Sequence, residues 1–131
     1  MNLVLQLNIL LEVRHRSEAL IDPLEVEDLG LQGMADASPP KWHLGHTNWF
    51  FETFLLQPHL KGHEPCDPRW AYQFNSYYDS VGDRHPRPQR GLLSRPTITE
   101  ILHWRSRVND GLEQLLKAPN DTCLQLMELG L

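Results

Sequence analysis

The segment from Ser38 to Glu52 constrains the fold more than any other part of this chain, because on a helix it is apolar around nearly its whole circumference. Ser38 can cap such a helix, and a proline is tolerated in its first turn. Residues three and four positions apart share a helix face, so His46 lies among its neighbours Trp42, His43, Trp49, Phe50 and Thr53. We therefore predict that this segment is the central, buried helix of the fold.

A buried imidazole at His46 requires a partner, since an unpaired buried polar group costs about 1–3 kcal/mol. That partner is either a hydrogen-bonding group or a metal ion. Residue types alone favour the hydrogen bond, because buried polar side chains are usually satisfied within the protein. Both alternatives remain open on the residues themselves.

Hydrophobic periodicity and helix-ending residues predict an all-α chain. The predicted helices span residues 3–21, 24–29, 40–56, 69–81 and 98–118, with a last helix opening at Asn120 or Asp121. Pro58 is expected to end the central helix. Thr97 and Glu100 form a capping box before residues 98–118. The last helix has room for only about three turns.

Two proline-rich stretches separate these helices. The first, residues 59–68, carries His59 and His63 outside any predicted helix, and we expect both to be solvated loop histidines. The second, residues 83–96, is expected to lack regular structure because of its proline spacing. Four arginines lie in it: Arg84, Arg87, Arg90 and Arg95. They form either a solvated basic loop or a clamp for a carboxylate, which a guanidinium binds through two parallel hydrogen bonds.

Composition limits the function classes. A chain of 131 residues allows one domain with a modest core. A formal net charge of −5 argues against a nucleic-acid or anionic-membrane partner. The apolar run from Leu3 to Val13 is too short to span a bilayer and lacks the features of a signal peptide. Cys66 and Cys123 fit no paired motif and are expected to be reduced thiols, so we expect a cytoplasmic protein.

Several segments of the chain, taken in order, resemble the DinB-like N-terminal domain of the ergothioneine-biosynthesis (EgtB-type) sulfoxide synthases. One of them is the central segment from Ser38 to Glu52. The others are Arg14-His15-Arg16-Ser17-Glu18-Ala19-Leu20, Asp36-Ala37-Ser38-Pro39-Pro40, Phe74-Asn75-Ser76-Tyr77-Tyr78 and Arg90-Gly91-Leu92-Leu93-Ser94-Arg95-Pro96. The resemblance covers the chain from about Leu10 to its end.

The resemblance implies one DinB-like domain over residues 1–131, an up-and-down four-helix bundle whose fourth helix is cut short. It implies that His46 is one of the iron ligands. It also implies that Arg87 and Arg90 bind the carboxylate of a sulfur donor. In the family, two further ligands form a His-x-x-x-His pair after a Glu-Leu-Gly-Leu segment, which here ends the sequence. The family's acid–base tyrosine belongs to a second domain, related to formylglycine-generating enzymes, so no catalytic residue is assigned to this chain.

The family's reaction joins the sulfur of cysteine or gamma-glutamylcysteine to hercynine, using Fe(II) and dioxygen. We therefore expect the N-terminal part of a sulfoxide synthase, inactive by itself and binding Fe(II) weakly or not at all. The alternative is a non-catalytic helical module that acts through protein interaction. A related oxygenase with another sulfur or selenium donor fits the same residues. The missing part of the fourth helix would leave an apolar seam, through which copies of the chain could self-associate.

If the arginine-rich stretch serves a ligand whose other contacts lie in a second domain, its ordering in this chain alone should be incomplete. We therefore expect residues 83–96 to be mobile, with solvated arginines. Arg84 or Arg95 is expected to form a structural pair with an acidic residue.

Overall fold

The computed structural model describes residues 3–76, 82–117 and 121–130, and these form a mostly helical chain without strands, as predicted. The α-helices along the described residues are α1 (Leu3–Ile21), α2 (Val26–Leu29), α3 (Pro40–Phe51), α4 (Gln57–His59), α5 (Trp70–Phe74), α6 (Ile98–Leu115) and α7 (Asp121–Gly130). A π-helical turn, Glu52–Leu56, joins α3 to α4, and a 3₁₀ helix, Arg87–Leu92, lies between α5 and α6. Within these residues no helix combines the length and apolar character needed to cross a membrane.

Helix α3 is the central element, as its all-round apolar pattern predicts. It contacts α1, α2, α5, α6 and α7. Its buried apolar side chains are Trp42, Leu44, Trp49, Phe50 and Phe51. Burying a large apolar side chain contributes about 1.5–3 kcal/mol relative to leaving it exposed, so the surroundings of α3 supply much of the driving force for folding.

Two buried arginines tie α1 and α6 to α3. Arg14 Nη2 and Arg105 Nη1 both donate to Oδ1 of Asn48, at 2.9 and 3.1 Å. Asn48 is itself fully buried, and its Nδ2 donates to the carbonyl of Ile101 at 3.1 Å. Burial lowers the pKa of both guanidinium groups, and their mutual repulsion lowers that of Arg14 further. Because an unmatched buried donor is costly, this network favours one register of the three helices.

Helix α6 begins with the predicted capping box. The hydroxyl of Thr97 accepts from the main-chain N–H of Glu100 at 3.2 Å, and the Glu100 carboxylate accepts from the N–H of Thr97 at 3.1 Å. Its buried stripe contains Ile101, Trp104, Val108, Leu112 and Leu115. His103 and Arg107 are exposed, as predicted.

Two predictions about prolines are wrong. The central helix does not end before Pro58 but widens into the π-helical turn and continues to His59. The wider turn eases the clash between the proline ring and the carbonyl one turn earlier. Residues 83–96 were expected to be irregular but contain the 3₁₀ helix, because Pro88 lies in its first turn, where a missing N–H costs little.

The aromatic helix predicted over residues 69–81 is shorter in the described part of the chain, where α5 ends at Phe74. Asn75 has extended backbone angles, φ −69° and ψ 134°, and its side chain donates to the carbonyl of Gly82 at 3.1 Å. The rest of the prediction, residues 77–81 with Tyr77 and Tyr78, lies outside the described residues.

Gly45 allows α5 to pack closely on α3. A Cβ atom at this position would overlap the ring of Phe74, a side chain that is only 2% exposed. The ring has little room to move, because protein interiors are close-packed. The close approach therefore depends on the absence of a side chain at Gly45.

We expect Gly45→Ala to lower the free energy of unfolding by about 1–3 kcal/mol, the usual cost of overpacking a filled core. Urea unfolding followed by tryptophan fluorescence measures it. Gly30→Ala is the matched control, because no heavy atom beyond its chain neighbours lies within 4 Å of the corresponding Cβ and its φ of −94° suits alanine. Equal losses in the two variants would contradict the close packing of α5 on α3.

Candidate functional site

His46 lies half-buried on α3 between two tryptophan rings. Trp42, one turn earlier, stacks on the imidazole at a centroid distance of 4.9 Å with 7° between the planes. Trp49, one turn later, stacks on its other face at 5.6 Å and 21°. Helical spacing of three and four residues produces this arrangement. The two faces of the imidazole are therefore occupied, and only its edges can take part in further chemistry.

One edge of the imidazole is held by α5. Nδ1 of His46 donates to the main-chain carbonyl of Phe74 at 2.8 Å. A carbonyl oxygen can only accept, so Nδ1 carries the proton and Nε2 of the neutral ring carries a lone pair. Among the described residues none forms a hydrogen bond to Nε2. The hydrogen bond expected for a buried histidine thus leaves the other nitrogen in the form that binds a metal ion.

The surroundings of His46 favour its neutral form. Burial lowers the pKa of the imidazole, the hydrogen bond to Phe74 raises it, and the charges of Arg90 and His43 lower it again, with a net decrease. Burial and the charge of Arg90 also lower the pKa of His43, against an opposing hydrogen bond at Ser38. Near neutral pH the lone pair on Nε2 of His46 is therefore available.

A second feature, which we call the arginine pocket, is a cavity of about 320 Å³ beside the 3₁₀ helix. It is lined by Ser76, Arg84, His85, Pro86, Arg87 and Arg90. Arg84 Nη1 donates to the carbonyl of Ser76 at 2.9 Å, and the main-chain N–H of His85 donates to the carbonyl of Tyr72 at 2.9 Å. These bonds hold the polypeptide after α5 against the end of that helix. The pocket brings three guanidinium groups together, which suits an anionic ligand.

Arg90 is the buried member of the arginine pocket. It is 4% exposed, its guanidinium carbon lies 3.5 Å from the centroid of Trp42, and its Nη1 donates to Oγ of Ser38 at 2.9 Å. Burial lowers the pKa of this group to about 10, and the charges of Arg87 and Arg84 contribute. The expectation that the arginines would all be solvated is wrong for Arg90, because the indole and the serine hydroxyl anchor it.

The other arginines of this stretch are more accessible. Arg84 and Arg95 are exposed, and Arg87 is half-exposed. Arg95 Nη1 donates to the carbonyl of the preceding serine at 3.1 Å, and Arg84 bonds to a main-chain carbonyl as well. Their pairing with an acidic residue remains a prediction.

The side chains of Glu52 and His63 form a buried cluster beside Trp104. The carboxylate of Glu52 accepts from Nε2 of His63 at 3.0 Å, from Nε1 of Trp104 at 3.1 Å and from the main-chain N–H of Cys66 at 3.2 Å. The side chain of His63 is 7% exposed. The prediction of a solvated His63 is therefore wrong, because a buried carboxylate requires donors and this imidazole supplies one.

The described residues contain no group of three or more His, Cys, Asp or Glu side chains arranged to hold a metal ion. The carboxylate of Glu52 accepts from its three donors, and His43, three residues before His46 on α3, is exposed. Sequence reasoning missed Ser38, Ser76 and Trp42 as partners of the arginines. Of these three residues, only Trp42 was placed near the site by the sequence, through its helical spacing from His46.

The lowered pKa of His46 and His43 implies that stability depends on pH. The unfolded chain protonates these imidazoles near pH 6.5, whereas the folded chain does so only at lower pH. Between pH 6.5 and the lower pKa of the folded state, the unfolded state binds more protons than the folded state. The stability present at pH 7 is therefore lost as the pH falls through this interval. Urea unfolding at pH 7.5 and 5.5 measures this loss. His46→Gln should lose less stability over the same interval, and an equal loss in that variant would contradict a neutral buried imidazole.

In a comparison with protein families, residues 9–125 match the DinB superfamily. Comparison with curated proteins finds no match. The matched range contains His46, Arg87 and Arg90, together with the helices that position them. Since it covers most of the sequence, the chain belongs to the DinB superfamily.

Proposed function

We propose that this chain is the N-terminal DinB-like part of an iron(II)- and dioxygen-dependent sulfoxide synthase of the ergothioneine type. The reaction would join the sulfur of cysteine or gamma-glutamylcysteine to hercynine. The observation that carries the proposal is the position of Trp42, which lies between the imidazole of His46 and the guanidinium of Arg90. A histidine suited to metal binding and a pocket suited to a carboxylate are thereby adjacent.

The chemistry of His46 fits one ligand position of such an iron site. Imidazole is a suitable ligand for Fe(II), and ligand histidines usually donate their other N–H to a carbonyl or carboxylate. The carbonyl of Phe74 has that role here. Iron, when bound, would supply the activation of dioxygen. With one ligand among the described residues, the remaining ligands would come from outside them, and binding by this chain alone would be weak.

The arginine pocket fits the carboxylate of the sulfur donor. Arg87 is the more accessible arginine of the predicted pair, and Arg90 is fixed by Trp42 and Ser38. In this proposal the guanidinium of Arg90 is held in place before the ligand binds, and the side chain of Arg87 closes on the ligand. The contribution of this chain is therefore to bind and orient the donor beside His46, and no proton transfer is assigned to its side chains.

The proposal also covers the helix topology, self-association and cellular location, which membership of the superfamily does not give. We propose an up-and-down four-helix bundle with α7 as its incomplete fourth helix, supported by the contacts of α3 with α1, α6 and α7. Self-association through an apolar seam and a cytoplasmic location are part of the same proposal. The alternative is a non-catalytic helical module that acts through protein interaction.

Arg87→Ala tests the donor site. Loss of one charged hydrogen-bonding partner costs about 1.5–3 kcal/mol, so we expect gamma-glutamylcysteine to bind about ten- to a hundredfold more weakly. The shifts of the guanidinium NMR signals with ligand concentration measure the dissociation constant. Arg16→Ala is the control, because Arg16 lies on α1 with its side chain 77% exposed. Equal weakening in both variants would indicate that the probe binds a diffuse basic surface and would contradict a specific donor site.

A further inference from the structure

Trp42 contacts a different functional group on each face of its indole. Arg90 lies over one face, with its guanidinium carbon 3.5 Å from the ring centroid. The imidazole of His46 lies parallel to the indole at 4.9 Å. The two groups are far apart in sequence, and both contact the indole.

The planes of both rings are set by the end of α5. Nε1 of Trp42 donates to the carbonyl of Gln73 at 2.8 Å, and Nδ1 of His46 donates to the carbonyl of Phe74 at 2.8 Å. These are the last two residues of α5, where main-chain carbonyls have no partner within the helix. Two successive carbonyls thus hold two stacked rings. A displacement of the indole would strain the bond that orients the imidazole.

The position of Arg90 leaves it ready for a ligand. Stacking uses the face of a guanidinium, whereas its hydrogen bonds lie along its edge. One edge nitrogen is bound to Ser38, and Nε is buried without an acceptor among the described residues. Arg87 and Arg84 add charge of the same sign beside it. A carboxylate entering the pocket would relieve this repulsion and pull on a group that rests on Trp42.

We propose that Trp42 is a positioning residue that transmits occupancy of the arginine pocket to His46. The indole holds the guanidinium of Arg90 in the plane needed by a carboxylate, and it holds the imidazole against Phe74. Binding at one end then changes the environment at the other. This inference rests on the proposed function for the roles given to Arg90 and His46, whereas the contacts through Trp42 do not depend on it.

The first test compares Trp42→Leu with Trp42→Phe, using gamma-glutamylcysteine as the probe and NMR to follow binding. Loss of a desolvated cation–π contact should weaken binding about five- to thirtyfold in the leucine variant. Phenylalanine retains an aromatic face and should restore most of that loss. Trp70→Leu is the control, because Trp70 is buried to a similar degree but packs against Trp104, with 44° between the ring planes. Equal binding by wild type and Trp42→Leu would overturn the proposal.

The second test reads His46 directly, through its ring carbon and nitrogen signals at constant pH. In the wild type these signals should move with the same midpoint as those of Arg90 when the probe is added. In Trp42→Leu, at saturating probe, Arg90 should respond fully, whereas the His46 response should shrink to the part that the charge of Arg90 exerts directly on the imidazole. Trp49→Phe should keep the response, because Trp49 lies on the far side of the imidazole. A His46 response of undiminished size in Trp42→Leu would overturn transmission through the indole.

The two proposals fail in different ways. If no arginine of the pocket responds to the probe in the wild type, the donor site of the proposed function is wrong. The positioning role of Trp42 is then tested in the ligand-free protein. There the side-chain protons of Arg90 should show an upfield ring-current shift. This shift should disappear in Trp42→Leu and persist in Trp70→Leu. An unchanged shift in Trp42→Leu would overturn the positioning role.

Ser38→Ala covers the case in which Trp42→Leu does not fold. It removes the hydroxyl that accepts from Arg90 and leaves the indole in place. It should weaken binding of the probe while keeping the His46 response at saturation. Loss of that response in Ser38→Ala, with Trp42→Phe behaving as wild type, would assign the transmission to the serine and overturn the role of Trp42.

Discussion

The hydrogen bond from Nδ1 of His46 to the carbonyl of Phe74 is the interaction on which the candidate site depends. It satisfies a half-buried imidazole, and at the same time it decides which nitrogen keeps a lone pair. The bond exists because α5 ends beside α3, and Gly45 provides the room for that approach. A structural hydrogen bond and a ligand nitrogen are therefore compatible functions of one side chain, rather than alternatives.

The same helix end organises the arginine pocket. Trp42 bonds to Gln73, and its outer face then supports Arg90. The buried arginine thus acquires its orientation from α3 and α5, although it belongs to the 3₁₀ helix. Two other buried arginines, Arg14 and Arg105, serve a different purpose, because their donors meet Asn48 in the core. Burial of a guanidinium has a structural role at one site and a proposed binding role at the other.

The parts of the fold that follow from local patterns could be predicted from sequence. The capping box at Thr97 and the buried character of α3 depend on neighbouring residues, and both are found. The contacts of Arg90 with Trp42 and of His63 with Glu52 depend on tertiary packing between distant or irregular segments. A loop histidine therefore looked solvated, although a buried carboxylate required it as a donor.

The most direct test of this account is the tautomer of His46, read from long-range proton–nitrogen correlations of the chain near pH 7.5. We expect the pattern of a neutral ring with the proton on Nδ1 and a lone pair on Nε2, because the carbonyl of Phe74 can only accept. A ring with its proton on Nε2, or a charged ring at this pH, would contradict the account. Either result would remove His46 as a nitrogen ready for a metal ion.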